Sequence, residues 1–298
     1  MPRQVRDSVG MSQSYRPLQR GQLQSEWCKV GGWTIHARTG GGAAASGAPP
    51  LVLVHGAVMS SRYLVPTAAL LAGEQRVYAP DLPGYGKSDK PPRALSMPQL
   101  ADALAAWMRA NRLEQAALLG NSMGCQVIAH LAVRHPALVG RAVLLGPTID
   151  AQARNFPQQL ARWLRDTPRE APSQGLVLLR DLWDCGLRRA VGLIRQTLRD
   201  RIEQQLPHMA APTLVVRGAH DPLVPQRWAQ EVTRLLPHAR LLTLPGAAHT
   251  PNYGAPQALV RAVRPFLQTD DPREWLASQP FAPSILPLTH SSSSGPGT

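Results

Sequence analysis

The segment Gly120-Asn121-Ser122-Met123-Gly124 constrains the fold more than any other part of the chain. It has the spacing G-x-S-x-G and lies between two runs of different periodicity. Residues 116–119, Ala-Ala-Leu-Leu, read as a short buried strand. Residues 123–134 read as a helix, with apolar Val127, Ile128, Leu131 and Ala132 at helical spacing. Small residues flanking a serine at such a turn let strand and helix pack closely, and the turn itself asks Ser122 for a strained backbone. That arrangement holds a hydroxyl at the carboxyl edge of a sheet, beside the amino end of a helix. The plain alternative is a serine that merely starts a helix; residues further along the chain decide between the two.

A serine hydroxyl is a weak nucleophile near neutral pH. It needs a base, and the base needs an acid to orient it. Residues 213–217 read as a strand that runs into a loop carrying Asp221, and residues 240–244 as a strand followed by a loop carrying His249. In a parallel sheet the loops past all these strands open at one edge, so the three groups can converge. Ser122 is expected to be the nucleophile, His249 the general base and then general acid, and Asp221 the carboxylate that fixes the imidazole. Asp150, Asp166 and Asp184 compete with Asp221, but they fall in or beside a helix-rich stretch rather than after a core strand. His55 is expected to bond nearby backbone, His130 and His135 to pack on or at the end of the helix after Ser122, and His220 to point away from its neighbour Asp221. His36, His208, His238 and His290 have no motif around them.

From about residue 25 to 268 the sequence resembles the α/β-hydrolase superfamily. Leu51-Val52-Leu53-Val54-His55-Gly56 is similar to the family's strand and His-Gly turn, and Asp81 to Ser88 to its D-x-P-G-x-G-x-S segment, which is given no catalytic role. The order Ser, Asp, His is also the family's. The resemblance implies an oxyanion hole made by the backbone N–H groups of Ala57 and Met123, each such donor being worth on the order of a hundredfold in rate. It implies cleavage of a carboxylic ester of a small, mainly apolar substrate through an acyl-enzyme, with no cofactor and no metal. Serine at the turn argues against relatives that use a carboxylate nucleophile. Two other functions stand beside this one. Relatives that hydrolyse carbon–carbon bonds of ring-fission products share the Asn-Ser-Met turn, but usually carry a glycine-rich stretch where this chain has Ala57-Val58-Met59-Ser60-Ser61. A non-catalytic ligand-binding protein could also use the fold. A perhydrolase or haloperoxidase side activity would use the same three residues.

Strands alternate with helices at 62–71, 97–111, 123–134, 227–236 and 256–267, after an opening hairpin at 26–30 and 33–38. This is the pattern of a doubly wound, mostly parallel α/β sheet. The alternation stops after a strand at 141–145. Residues 147–207 are helix-like and are expected to form an inserted helical cap over the edge that carries Ser122. The expected organisation is a flexible arm (1–24), a core (25–146 and 208–269), the cap (147–207) and a largely disordered tail (270–298). Within that tail, 272–278 is helix-like and either docks on the body or belongs to the tail. Phe156, Trp163 and Trp183 of the cap are candidate pocket residues; packing against the core is the ordinary alternative for each.

At 298 residues and 44% hydrophobic, the chain can bury a large core. No stretch reaches ~18 apolar residues, so no membrane span is expected, and the amino end shows no apolar signal region. The three cysteines, Cys28, Cys125 and Cys185, have no C-x-x-C spacing, which points to a reducing, cytoplasmic setting without a metal site. A net charge of +13 raises nucleic acid or an anionic surface as a partner. The basic residues are mostly arginines scattered singly, and there is no zinc finger or aromatic RNA platform, so no nucleic acid partner is expected. Arg180, Arg188, Arg189, Arg195, Arg199 and Arg201 do gather in one helical region. They read as a solvated helix face or as an electrostatic guide for acidic substrates. The sequence carries no signature of oligomeric state.

Overall fold

The computed structural model describes residues 5–6, 22–42, 47–279 and 284–285. Most of the expected amino-terminal arm, and the tail beyond residue 279 apart from 284–285, lie outside these. Eight strands build one sheet: β1 Leu23–Val30, β2 Trp33–Gly40, β3 Leu51–Val54, β4 Val77–Pro80, β5 Ala116–Asn121, β6 Val139–Leu145, β7 Thr213–Gly218 and β8 Ala239–Leu244. Their order across the sheet is β1-β2-β4-β3-β5-β6-β7-β8, and two-residue pairings at Val5–Arg6 and Ser284–Ile285 extend the two edges. β1 and β2 form the expected antiparallel hairpin, and β2 also runs antiparallel to β4. All pairings from β4 to β8 are parallel.

Every residue of β3, β4, β5 and β7 is buried, as a parallel sheet with both faces covered requires. Side chains alternate between two apolar layers. Val52, Val54 and Leu118 enter the layer beneath α2 (Met97–Ala110), α3 (Met123–Arg134) and α8 (Gln226–Leu235). Leu51, Leu53 and Leu119 enter the opposite layer, with α1 (Val65–Leu71) and α10 (Pro256–Gln268). These helices match the expected ones closely. The first differs because Ser61–Leu64 forms a 3-10 turn before α1, started by the Ser60 hydroxyl accepting from Arg62 N–H at 3.3 Å.

Between β6 and β7 lies the expected helical insert: α4 Phe156–Asp166, a 3-10 turn at Thr167–Arg169, α5 Pro172–Cys185, α6 Leu187–Arg199 and α7 Ile202–Gln205. Gly186, at φ 78°, turns the chain between α5 and α6. The short α9 (Pro251–Gly254) precedes α10. Of the two alternatives for the stretch at 272–278, the structure has the docked one: it is a helix, α11 (Pro272–Ser278). Asp271 caps it, accepting from the N–H groups of Arg273 and Glu274 at 2.9 and 3.0 Å. Leu276 is buried, and the Trp275 ring lies 5.4 Å from that of Phe266. The ordered body therefore runs past residue 270.

Candidate active site

Ser122 sits between β5 and α3 at φ 56°, ψ −119°, a region that side chains other than glycine rarely occupy. The two glycines explain how that strain is tolerated. A Cβ on Gly124 would fall 2.3 Å from the carbonyl oxygen of Val54, and one on Gly120 would fall 2.7 Å from the backbone of Gly124. No larger residue fits either position, so strand and helix close tightly and fix the serine. The Ser122 N–H donates to Leu145 O at 2.9 Å, and its hydroxyl lies 3.4 Å from that of Thr148. The His55-Gly56-Ala57 turn passes directly beside it, since a Cβ on Gly56 would be 3.3 Å from the Ser122 Cβ. Ala57 lines the same cavity as Ser122, and Met123 is the buried first residue of α3.

Asp221 follows β7 and is 2% exposed. Its Oδ1 accepts from the N–H groups of Leu223 and Val224 at 2.8 and 3.0 Å, while Oδ2 meets His249 Nδ1 at 2.8 Å. One carboxylate oxygen is thus fixed by backbone and the other is free to hold the imidazole. His249 follows β8. Its Nε2 is buried and has no hydrogen-bond partner among the described residues, and the residue lines the cavity together with Ser122. Burial pulls the imidazole pKa down. The Asp221 carboxylate outweighs this through its charge and hydrogen bond, with Asp166 and Glu170 adding to it, and the pKa is raised to about 9. Gly146, at φ 55°, lies against this pair: a Cβ there would be 3.1 Å from the imidazole. Asp221 and His249 are therefore brought together, and Ser122 lines the same cavity as His249.

The competing groups have other partners. Asp150 is held by Arg162 and Arg227, and Asp184 by Arg62 at 2.6 Å. His55 Nε2 accepts from Leu82 N–H at 3.0 Å, its Nδ1 lies 3.0 Å from Gly56 O, and burial lowers its pKa. The Cys125 thiol lies 3.1 Å from Gly120 O, and burial pushes its pKa well up. Asp81, in the segment given no catalytic role, accepts from the N–H groups of Ser61 and Lys87 and holds His36.

Three side chains that the sequence reading does not weigh, Tyr63, Asn121 and Glu170, and one it sets aside as a competitor of Asp221, Asp166, lie around these residues. The Gly56 N–H donates to the Tyr63 hydroxyl at 2.6 Å, which donates to Asn121 Oδ1 at 2.9 Å. Asn121 Nδ2 donates in turn to Leu145 O and His249 O, at 3.2 and 3.1 Å. One buried chain of hydrogen bonds so ties the Gly56 turn, the serine turn and the histidine loop. The insert supplies the other two. Asp166 Oδ1 accepts from His249 N–H at 3.3 Å, and Glu170 accepts from Thr250 N–H at 2.7 Å. Burial raises the Asp166 pKa to about 7; the His249 charge opposes the rise, while Glu170 and Asp221 add to it. A second pair of contacts holds the loop after Gly56: Asp181 accepts from both the N–H and the hydroxyl of Ser60 at 2.8 Å, and also binds Arg62.

The cavity above Ser122 measures about 460 Å³ and is mostly apolar, lined by Val58, Met59, Ile149, Leu178 and Leu182 among others. Phe156 and Trp163 line it and are half-exposed. Trp183 is a correction. It is 85% exposed and does not line the cavity, because α5 turns Leu178 and Leu182 inward and Trp183 outward.

The family profile described as the alpha/beta hydrolase fold matches residues 49–182, and one described as TAP-like protein matches residues 189–273. The chain belongs to the α/β-hydrolase superfamily. It is similar to the pimeloyl-[acyl-carrier protein] methyl ester esterase of Xanthomonas oryzae pv. oryzae, at 25% identity over 74% of this chain and 95% of that one. The protein of the same description from Xylella fastidiosa is 26% identical over 74% and 96%. Among solved structures, the esterase RhEst1 from Rhodococcus sp. ECU1013 superposes with a TM-score of 0.64 at 25% identity, covering 83% of this chain and 98% of that one. Cfl2 from Burkholderia cenocepacia, at TM-score 0.70 and 22% identity over 86% and 100%, shares the fold of this α/β-hydrolase.

Proposed function

We propose that this α/β-hydrolase cleaves a carboxylic ester of a small, mainly apolar substrate through an acyl-enzyme on Ser122. The observation that carries the proposal is His249, held by Asp221 at 2.8 Å, with Nε2 unpaired in the cavity that also holds the strained Ser122. In the proposed reaction His249 Nε2 takes the serine proton as Oγ attacks the ester carbonyl. The N–H groups of Ala57 and Met123 donate to the oxyanion. His249 then protonates the departing alcohol and afterwards removes a proton from the water that releases the acid. The helical insert acts as a cap, and its Phe156 and Trp163 help bound the acyl or alcohol side of the pocket. Relatives described as methyl ester esterases support the bond type, and the apolar lining supports a substrate with little charge near the reacting carbon.

The test is intact-protein mass after exposure to a fluorophosphonate, followed by turnover of p-nitrophenyl esters of increasing acyl length. The expected result is one adduct on the wild type and none on Ser122→Ala. That variant should lose at least several hundredfold in ester turnover, by about the scale of a missing triad member, while its thermal midpoint holds. Near-normal rates in the variant would remove Ser122 from the nucleophile's role. A well-folded wild type that takes no adduct would favour a ligand-binding protein. An adduct without ester turnover would favour carbon–carbon cleavage.

A further inference from the structure

Ten large apolar side chains are exposed among the described residues, and nine of them lie on the helical insert. They fall in stripes. On α4 the stripe is Phe156, Leu160 and Trp163; on α5 it is Leu176, Leu179 and Trp183; on α6 it is Leu187 and Val191. A surface helix ordinarily turns such a stripe toward the core. Here α5 is apolar on both sides, since Leu178 and Leu182 already fill the inward positions along the cavity. Trp183, Leu187 and Leu176 are 85%, 77% and 70% exposed. An apolar surface of this kind marks an interaction site.

The charges of the insert are segregated as well. Residues 147–207 hold ten arginines and seven acids. Seven of the arginines are exposed, and none of the acids is. The acids are turned inward or onto local arginines: Asp166 and Glu170 meet the histidine loop, Asp181 and Asp184 meet Arg62, and Asp150 meets Arg227. Asp200 meets His130, and Glu203 meets Arg154. The exposed charges of the insert are therefore all positive, and they stand beside exposed leucine and tryptophan. The cavity opens at this face, because Phe156 and Trp163 both line it and stand 52% and 43% exposed.

We propose that the outer face of the insert docks on an anionic lipid bilayer, seating the mouth of the cavity on the lipid. The exposed arginines pair with headgroup phosphates and anionic lipids, and the leucine and tryptophan side chains enter the acyl boundary. An acidic protein partner would match the arginines but not so large an apolar stripe, which has no charge to meet. The binding does not depend on the ester-hydrolase reading, and nothing crosses the membrane: no helix among the described residues is long and apolar enough to do so.

The full-length protein would be sedimented with vesicles of phosphatidylcholine alone, and of phosphatidylcholine with about a third phosphatidylglycerol, at low and high salt. Strong binding to the anionic vesicles is expected, weaker by about tenfold or more on the neutral ones and reduced by salt. Leu179→Asp combined with Trp183→Asp should lower the affinity at least about tenfold, and Arg180→Glu combined with Arg188→Glu similarly, with unchanged thermal midpoints. Both pairs are exposed and lie outside the cavity lining. Ser122→Ala should bind like the wild type, which separates this result from any failure of the hydrolase reading. A wild type that stays in solution with anionic vesicles would overturn the proposal. So would binding that survives both double variants. Retention by an acidic protein without vesicle binding, or a dimer that only the Leu179/Trp183 variant breaks, would assign the face to a protein partner or a second copy instead.

Discussion

Replacing Asp166 with asparagine should move the acid limb of the pH–rate profile downward by about two units. Asp166 Oδ1 accepts from the backbone N–H of His249 at 3.3 Å. The imidazole lies a few ångströms further on. A full negative charge at a distance on the order of 6 Å, with an effective dielectric near 20, is worth about 3 kcal/mol, or roughly two pKa units. Asp166 itself has a pKa raised to about 7, so at the limb, which lies near the His249 value of about 9, it is ionised and that effect applies in full. The sign follows from the role of His249. As a base it must be neutral, and its pKa is raised to about 9, so activity climbs on the alkaline side. Removing a nearby negative charge disfavours the imidazolium and lowers that pKa, and the neutral base then appears at lower pH. Below the limb kcat/KM should rise by about tenfold or more, while the alkaline plateau stays. Asparagine keeps an oxygen for the His249 N–H and offers an amide N–H to Glu170, so the loop keeps its support. The profile would be measured on a p-nitrophenyl ester, beside an NMR titration of the His249 ring nitrogens. A limb that stays in place or moves upward would refute the reasoning.

Three further substitutions test the frame of the site. Gly124→Ala places a Cβ 2.3 Å from the Val54 carbonyl, which belongs to the central strand β3, so a loss of about 3 kcal/mol is expected in urea unfolding. Tyr63→Phe strips the buried Gly56 N–H and Asn121 Oδ1 of their shared partner and should cost about 1–3 kcal/mol in the same assay, with a lower kcat. Gly146→Ala demands φ 55° of an alanine and sets its Cβ 3.1 Å from the imidazole. It should lower kcat roughly tenfold or more while fluorophosphonate-reactive protein remains folded.

Much of this arrangement was legible in the sequence, for local reasons. Buried parallel strands are unbroken apolar runs, so β3, β5, β6 and β7 stood out. The glycines around Ser122 advertised a turn whose crowding the structure makes explicit. Asp221 and His249 could be placed because each follows a strand end. Asp166 and Glu170 could not. They meet His249 and Thr250 across some 80 residues of chain, and nothing local separates them from any other acid on a helix. Tyr63 and Asn121 are joined across 58 residues in the same silent way. Trp183 was misplaced because both sides of α5 are apolar, and periodicity shows that a stripe exists without showing which stripe faces the cavity. The docking of α11 rests on Phe266 and on Arg240, which donates to Leu276 O at 2.9 Å; a seven-residue helix carries too little pattern to announce either.

The only buried side chain of α4 is a carboxylate, Asp166. This helix is held down by ionic and hydrogen-bonded tethers beside the half-buried Phe156, Leu160 and Trp163. Lifting it would uncover the buried halves of those three side chains but no fully buried hydrocarbon, so the heat-capacity change would be modest beside that of unfolding the sheet. The rate at which the roof parts would follow the rehydration of Asp166 and Glu170. Amide protons in α4 would then exchange with deuterium far ahead of those in α3, on a schedule decoupled from the melting of the sheet below.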